Sequence, residues 1–179
     1  MSNFGELKKA TLVSQNRRTI HTALNLGSTN PLIPCVIGRN GQTILKKEGD
    51  EKTPIGIYHP QMVYYRQDRT KRPQTALPVK AIKPSDGWCD DQTDRNYNRP
   101  VTLPYKASAE NLWREDALYD LIIVTDHNQS PRIKGRGSAI FIHVAKQKDK
   151  PTQGCIALEK KNLYFLLRLL DQQTKIVIS

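Results

Sequence analysis

Residues 138–162, SAIFIHVAKQKDKPTQGCIALEKKN, run apolar into His143, turn basic, and come out through Gly154 and Cys155 into a second apolar stretch. A thiol of ordinary pKa is only a few per cent thiolate at neutral pH, so a cysteine nucleophile needs a nearby base or electropositive surroundings. His143 supplies that base if the two strand ends are neighbours, and the step of twelve residues from one to the other leaves room for a connecting loop. Gly154 lets the backbone pack closely and, with the N–H of Cys155, forms a candidate oxyanion hole. The basic loop 146–150 would attract a carboxylate and lower the thiol pKa slightly. The competing reading is structural: free cysteine is among the most buried residue types, and a strand-end histidine is often a satisfied core residue. Residue types alone leave both open.

The elements that must position these groups read as short strands with one helix. Residues 11–13 and 18–26 form an opening pair, followed by 32–37 and 42–46 around Asn40-Gly41, a strong hairpin signal. A polar loop, 48–56, leads into Ile57 and Tyr58. Residues 67–99 are polar and poor in periodic hydrophobics, which predicts a long irregular insertion with a strand at 76–82; such loops are often functional. Residues 108–114 predict a short helix or turn placing Trp113 against the core. Residues 118–125 predict an apolar strand ending at Asp126-His127-Asn128, and 138–145 another, introduced by Gly135-Arg136-Gly137. Leu163, Leu166, Leu167 and Leu170 share one helix face within 158–171, and 175–178 closes as a strand. The economical reading is a single mainly β domain over 1–179 with one C-terminal helix.

Composition narrows the partners. A chain of 179 residues is long enough to bury a core. The formal charge of +11, from 28 basic and 17 acidic residues, favours polyanions or carboxylate-bearing polymers by long-range attraction. The basic residues (Lys8, Arg17, Lys46, Arg66, Arg72, Lys134, Lys148) are dispersed, and the aromatics form no base-stacking pattern, which argues against nucleic acid. Cys35, Cys89 and Cys155 lie far apart, so at least one thiol stays unpaired within the monomer, while a Cys35–Cys89 disulfide stays open. Cys89, His127, His143 and Cys155 are chemically a zinc set, but without a tight ligand pair they do not make a metal site. No window approaches a membrane span and the N-terminus has no apolar leader, so the chain as given would stay in the cytoplasm.

Ile142-His143 followed by Thr152-Gln153-Gly154-Cys155-Ile156 resembles the signature of the YkuD-type L,D-transpeptidase catalytic domain, in which a strand-end histidine precedes a Ser/Thr-His-Gly-Cys segment. Gly38-Arg39-Asn40-Gly41, Lys47-Glu48-Gly49-Asp50, Thr53-Pro54-x-Gly56-x-Tyr58, Asp126-His127-Asn128 and Gly135-Arg136-Gly137-Ser138 are similar to other stretches of that family, and the likeness spans about 32–170. Gln153 stands where many members have a second histidine, Ala157 where an arginine is common, and the His-to-Cys interval is shorter than usual. The resemblance implies a β-sandwich or barrel and a cofactor-free cysteine acyltransferase that carbapenems acylate. It would cleave a peptidoglycan tetrapeptide stem, expel D-alanine and pass the acyl group to an amine of a second stem. Cys155 would be the nucleophile, His143 the base and Gly154 an oxyanion donor. Arg136, His127, Ser138, Thr152 and Gln153 would bind substrate, with Arg136 taking a carboxylate and His127 partly replacing the missing imidazole. That chemistry points to the periplasm. Two alternatives stand beside it: a carboxypeptidase or hydrolase that gives the same thioester to water, and a non-catalytic basic module that binds cell wall or nucleic acid.

Overall fold

The computed structural model describes residues 6–14, 16–145 and 150–179. In chain order the strands are β1 (Lys9–Val13), β2 (His21–Asn25), β3 (Ile33–Val36), β4 (Gln42–Thr43), β5 (Thr53–Pro54), β6 (Gly56–Tyr58), β7 (Pro60–Tyr65), β8 (Val79–Ala81), β9 (Asp86–Cys89), β10 (Arg99–Thr102), β11 (Ala109–Asn111), β12 (Leu121–Thr125), β13 (Phe141–Val144), β14 (Ile156–Leu158) and β15 (Lys175–Ile178). Among the described residues there is one α-helix, α1 (Lys160–Leu169), and a 3-10 turn at Ala117–Tyr119. Ten strands make one sheet in the order β6-β15-β1-β2-β3-β14-β13-β12-β7-β8, while β10-β9-β11 and β4-β5 form smaller sheets. The chain is mainly β, as the sequence pattern predicts.

The middle of the large sheet is covered on both faces, which is why its strands read as continuous apolar runs. Along β12, Leu121 and Ile123 enter the core shared with Leu163, Leu166, Leu167 and Leu170 of the helical segment, while Ile122 and Val124 point the other way. β13 repeats the alternation, sending Ile142 and Val144 to the helix side and Phe141 to the opposite side. That second face is roofed by the small sheet: the Trp88 ring meets Phe141 edge-on with centroids 5.0 Å apart, a contact worth about 0.5–1.5 kcal/mol beyond the area it buries. Trp88 Nε1 donates to Asn98 Oδ1 at 3.0 Å, and Asn98 Nδ2 donates to the carbonyls of His127 and Asn128 at 3.1 and 2.9 Å. One amide thus ties the roof to the loops beside the site.

Three expectations change. The insertion at 67–99 is less irregular than expected: besides β8, which lies inside the strand expected at 76–82, it holds β9 and reaches β10, and β9 is flanked by β10 on one side and β11 on the other. Residues 108–114, expected as a short helix or turn, form β11 followed by a bend, and Trp113 does pack against the core. Leu112 is buried in the second core, and Trp113, packed at its edge, lies under the Arg66 guanidinium at 3.6 Å. The Asn40-Gly41 turn exists, with Gly41 N–H donating to Gly38 O at 2.8 Å, but it closes no hairpin. Both edges of β3 are taken by β2 and β14, so β4 pairs with β5 instead.

Candidate active site

β13 and β14 run parallel, with Ile142 opposite Ile156 and His143 opposite Ala157. Cys155 immediately precedes β14 and continues that register to Phe141, whose N–H approaches Sγ at 3.4 Å. Side chains alternate along a strand, so Phe141, His143 and Cys155 share the roofed face. Strand geometry sets Cys155 about 6.6 Å along and about 4.8 Å across from His143, a span two facing side chains can close. Both residues line one cavity of about 560 Å³, walled on the far side by Glu110, Arg114 and Tyr119.

His143 is fixed in one tautomer. Val144 O accepts from Nδ1 at 2.9 Å; a carbonyl only accepts, so the proton sits on Nδ1 and Nε2 keeps its lone pair. The Tyr119 ring meets the imidazole edge-on at 5.5 Å. Burial lowers the His143 pKa to about 4, so the ring is neutral at neutral pH. Loss of solvent pushes the Cys155 thiol up to about 12, and Sγ donates to Ala139 O at 3.1 Å. The resting pair is therefore a thiol beside a neutral imidazole with a free acceptor, not a preformed ion pair. Ala139 holds its carbonyl there from a left-handed conformation, φ 50°, which is sparsely populated for a residue with a Cβ.

The loop presenting Cys155 is tied down by groups distant in sequence. Thr53, fully buried, accepts from Gly38 N–H at 2.9 Å and donates to Gly154 O at 2.8 Å. Thr152 is braced by Ile37 and Arg39 through backbone bonds of 3.0 and 2.9 Å. Its hydroxyl donates to Cys155 O at 2.6 Å and accepts from Gly154 N–H at 3.1 Å. The Gly154 N–H, expected as an oxyanion donor, is thus engaged inside the loop. Gly154 is needed for its shape: φ is +136°, and an added Cβ would lie 2.9 Å from Lys52 O and 3.2 Å from Lys46 Nζ. Lys46 is buried beneath this loop and paired with Asp50.

The family model for YkuD, the L,D-transpeptidase catalytic domain, matches residues 9–178. This chain belongs to the YkuD family. No match was found among the curated proteins or among the solved structures. A YkuD domain is an enzyme domain of L,D-transpeptidase type, and its substrate is peptidoglycan. No helix among the described residues is long and apolar enough to cross a membrane.

This YkuD domain gathers only part of the expected set around its cysteine. Ser138, Thr152 and Gln153 line the Cys155 cavity with His143. Arg136 and His127 do not. Arg136 is exposed and borders an adjoining groove with Lys47, Gln92 and Lys134, which meets the Cys155 cavity at Glu48. The reason is local: Gly135 and Gly137, at φ 79° and 89°, flank Arg136 in a tight turn away from the cavity. His127 pairs Nε2 with Arg136 O at 3.0 Å and meets Tyr58 edge-on at 5.5 Å, and burial lowers its pKa. It therefore does not stand in for an imidazole at Gln153. Most of the expected basic loop lies outside the described residues; Lys150 borders the cavity. Ala157 lines the cavity opposite His143, and the guanidiniums there come from Arg39 and Arg114. All three cysteines are free, Cys35 and Cys89 being buried. Among the described residues, no group of three or more His, Cys, Asp or Glu is placed to hold a metal ion. Sequence reasoning missed Glu110, Arg114, Tyr119 and Arg39 as cavity residues; Arg39 stood in the quoted Gly38-Arg39-Asn40-Gly41 stretch with no role given to it, and the other three stand in no quoted motif.

Proposed function

We propose that this domain is a peptidoglycan L,D-transpeptidase with Cys155 as nucleophile and His143 as base. The observation that carries the reading is the convergence of a thiol and an imidazole, with Nε2 unprotonated, on one cavity roofed by a separate sheet. Sγ attacks the carbonyl of the diaminopimelate residue in a tetrapeptide stem while its proton passes to His143 Nε2. Starting from a neutral pair, proton transfer accompanies attack, since neither ion is favoured in this dry site. With Gly154 N–H committed to Thr152, we assign the Cys155 N–H to the developing oxyanion. Collapse breaks the amide C–N bond, the leaving D-alanine nitrogen takes the proton from His143, and a thioester remains. An amine from a second stem then forms the new amide and restores the thiol.

We assign the substrate carboxylate to Arg39 rather than Arg136. Arg39 borders the cavity, and its partner Glu51 at 3.2 Å forms a largely exposed pair of the kind worth little. Arg114 is held bidentately by Asp116 at 2.8 and 2.9 Å. The test is D-alanine release from disaccharide tetrapeptide by wild-type, Cys155→Ala and His143→Gln proteins. Release by the wild type, its loss in Cys155→Ala with fragment binding retained, and a strong reduction in His143→Gln support the assignment. A wild type that binds the fragment without releasing D-alanine would make this a binding module.

A further inference from the structure

Glu110 stands in β11 directly opposite Trp88 of β9, so both side chains leave the small sheet on the same side. Trp88 uses that side to pack on Phe141, and Glu110 lines the Cys155 cavity with Tyr119 and His143. Its Oε1 accepts from the Tyr119 hydroxyl at 2.7 Å and lies 3.8 Å from Arg114, whose guanidinium is committed to Asp116. Glu48, Asp90 and Asp116 also border the cavity, so the wall facing the nucleophile is rich in carboxylates.

We propose that Glu110 is a further catalytic residue: it receives the ammonium of the acceptor stem and takes one of its protons before the amine attacks the thioester on Cys155. The inference rests on the transpeptidase reading and deepens it. An acceptor arriving as R–NH3+ must lose two protons to become an amide nitrogen, and His143, neutral again once D-alanine has left, can take only one. Glu110 takes the first, giving a carboxylic acid and R–NH2. The amine nitrogen then bonds to the acyl carbon, the C–S bond breaks with its electron pair going to sulfur, and the second proton passes through His143 to Sγ. Glu110 returns its proton to solvent. Water brings no ammonium and needs no such group, so Glu110 biases the site towards transfer over hydrolysis. Partial burial holds the Glu110 carboxyl above its usual range, which suits a proton acceptor.

The test separates the half-reactions. Glu110→Gln keeps an oxygen to accept from Tyr119 but removes the base; Tyr119→Phe keeps Glu110 and the ring against His143. D-alanine release, cross-linked product and hydrolysis product are measured for each, with acceptor concentration and pH varied. In Glu110→Gln, transfer should fall about 10²-fold more than D-alanine release does, the scale of a general base. The acceptor KM should rise, and the acid limb of the transfer profile should disappear. Arg114, Asp90, Asp116, Cys155 and His143 face Glu110 and are present in both variants, and Tyr119 faces it in all but Tyr119→Phe, so that limb reports Glu110 only if Glu110→Gln removes it and Tyr119→Phe retains it. Equal losses in transfer and D-alanine release, or wild-type transfer in Glu110→Gln, overturn the inference. A wild type that forms no thioester overturns the transpeptidase reading itself.

Discussion

Replacing Thr53 by Val tests how the nucleophile loop is held. The two side chains have nearly the same shape, so the change removes a hydroxyl and little else. In the fold that hydroxyl joins Gly38 N–H, at 2.9 Å, to Gly154 O, at 2.8 Å, in a place closed to solvent. Each buried backbone group left without a partner costs about 1–3 kcal/mol, so the pair costs about 2–6 kcal/mol. Against a total stability of about 5–15 kcal/mol that is a large fraction. For a chain of this size it lowers Tm by roughly 4–24 °C. Catalysis should suffer as well, because a displacement of about 1 Å at a reacting group can cost about 10²-fold. Urea unfolding gives the first quantity, and the acylation rate of Cys155 in the folded protein gives the second. Thr53→Ser keeps the hydroxyl and should recover most of both. If Thr53→Val unfolds within about 0.5 kcal/mol of wild type, the scale of an inconsequential substitution, and acylates normally, the account of the loop is wrong.

Two pH predictions follow from the cysteine–histidine pair. Burial lowers the His143 pKa to about 4, against about 6.5 in an unfolded chain. The unfolded state therefore binds the proton first, and stability falls by about 1.4 kcal/mol per pH unit as pH drops from about 6.5 to about 4; the slope should be shallower in His143→Gln. The Cys155 thiol, raised to about 12 by loss of solvent, should react slowly with iodoacetamide at neutral pH and faster as pH rises. A thiolate absorption band for Cys155 at neutral pH would contradict the neutral resting pair.

What was legible in the sequence depended on how far apart the partners lie. The leucines of α1 and the alternating residues of β13 announce their faces over a few positions, because helix and strand periods act locally. The roof did not announce itself: Glu110 and Trp88 become neighbours only when β11 pairs with β9. Thr53 stood out as part of a Thr-Pro-x-Gly stretch, but its work on Gly154, 101 positions away, shows only in three dimensions. Arg136 was expected at the substrate because a guanidinium suits a carboxylate, and His127 because an imidazole is missing at Gln153, yet the two glycines around Arg136 turn it into the adjoining groove and His127 pairs with Arg136 O. Side-chain chemistry names what a residue could do, not which cavity its loop faces.

The central claim is that Cys155 carries the acyl group. Intact-mass spectrometry with peptide mapping tests it directly, on wild-type and Cys155→Ala proteins incubated with disaccharide tetrapeptide and, separately, with a carbapenem. The wild type should gain the mass of the fragment less D-alanine in the first case and a carbapenem adduct in the second, both mapping to Cys155, and Cys155→Ala should gain neither. Adducts that persist in Cys155→Ala, or that map to Cys35 or Cys89, would contradict the claim.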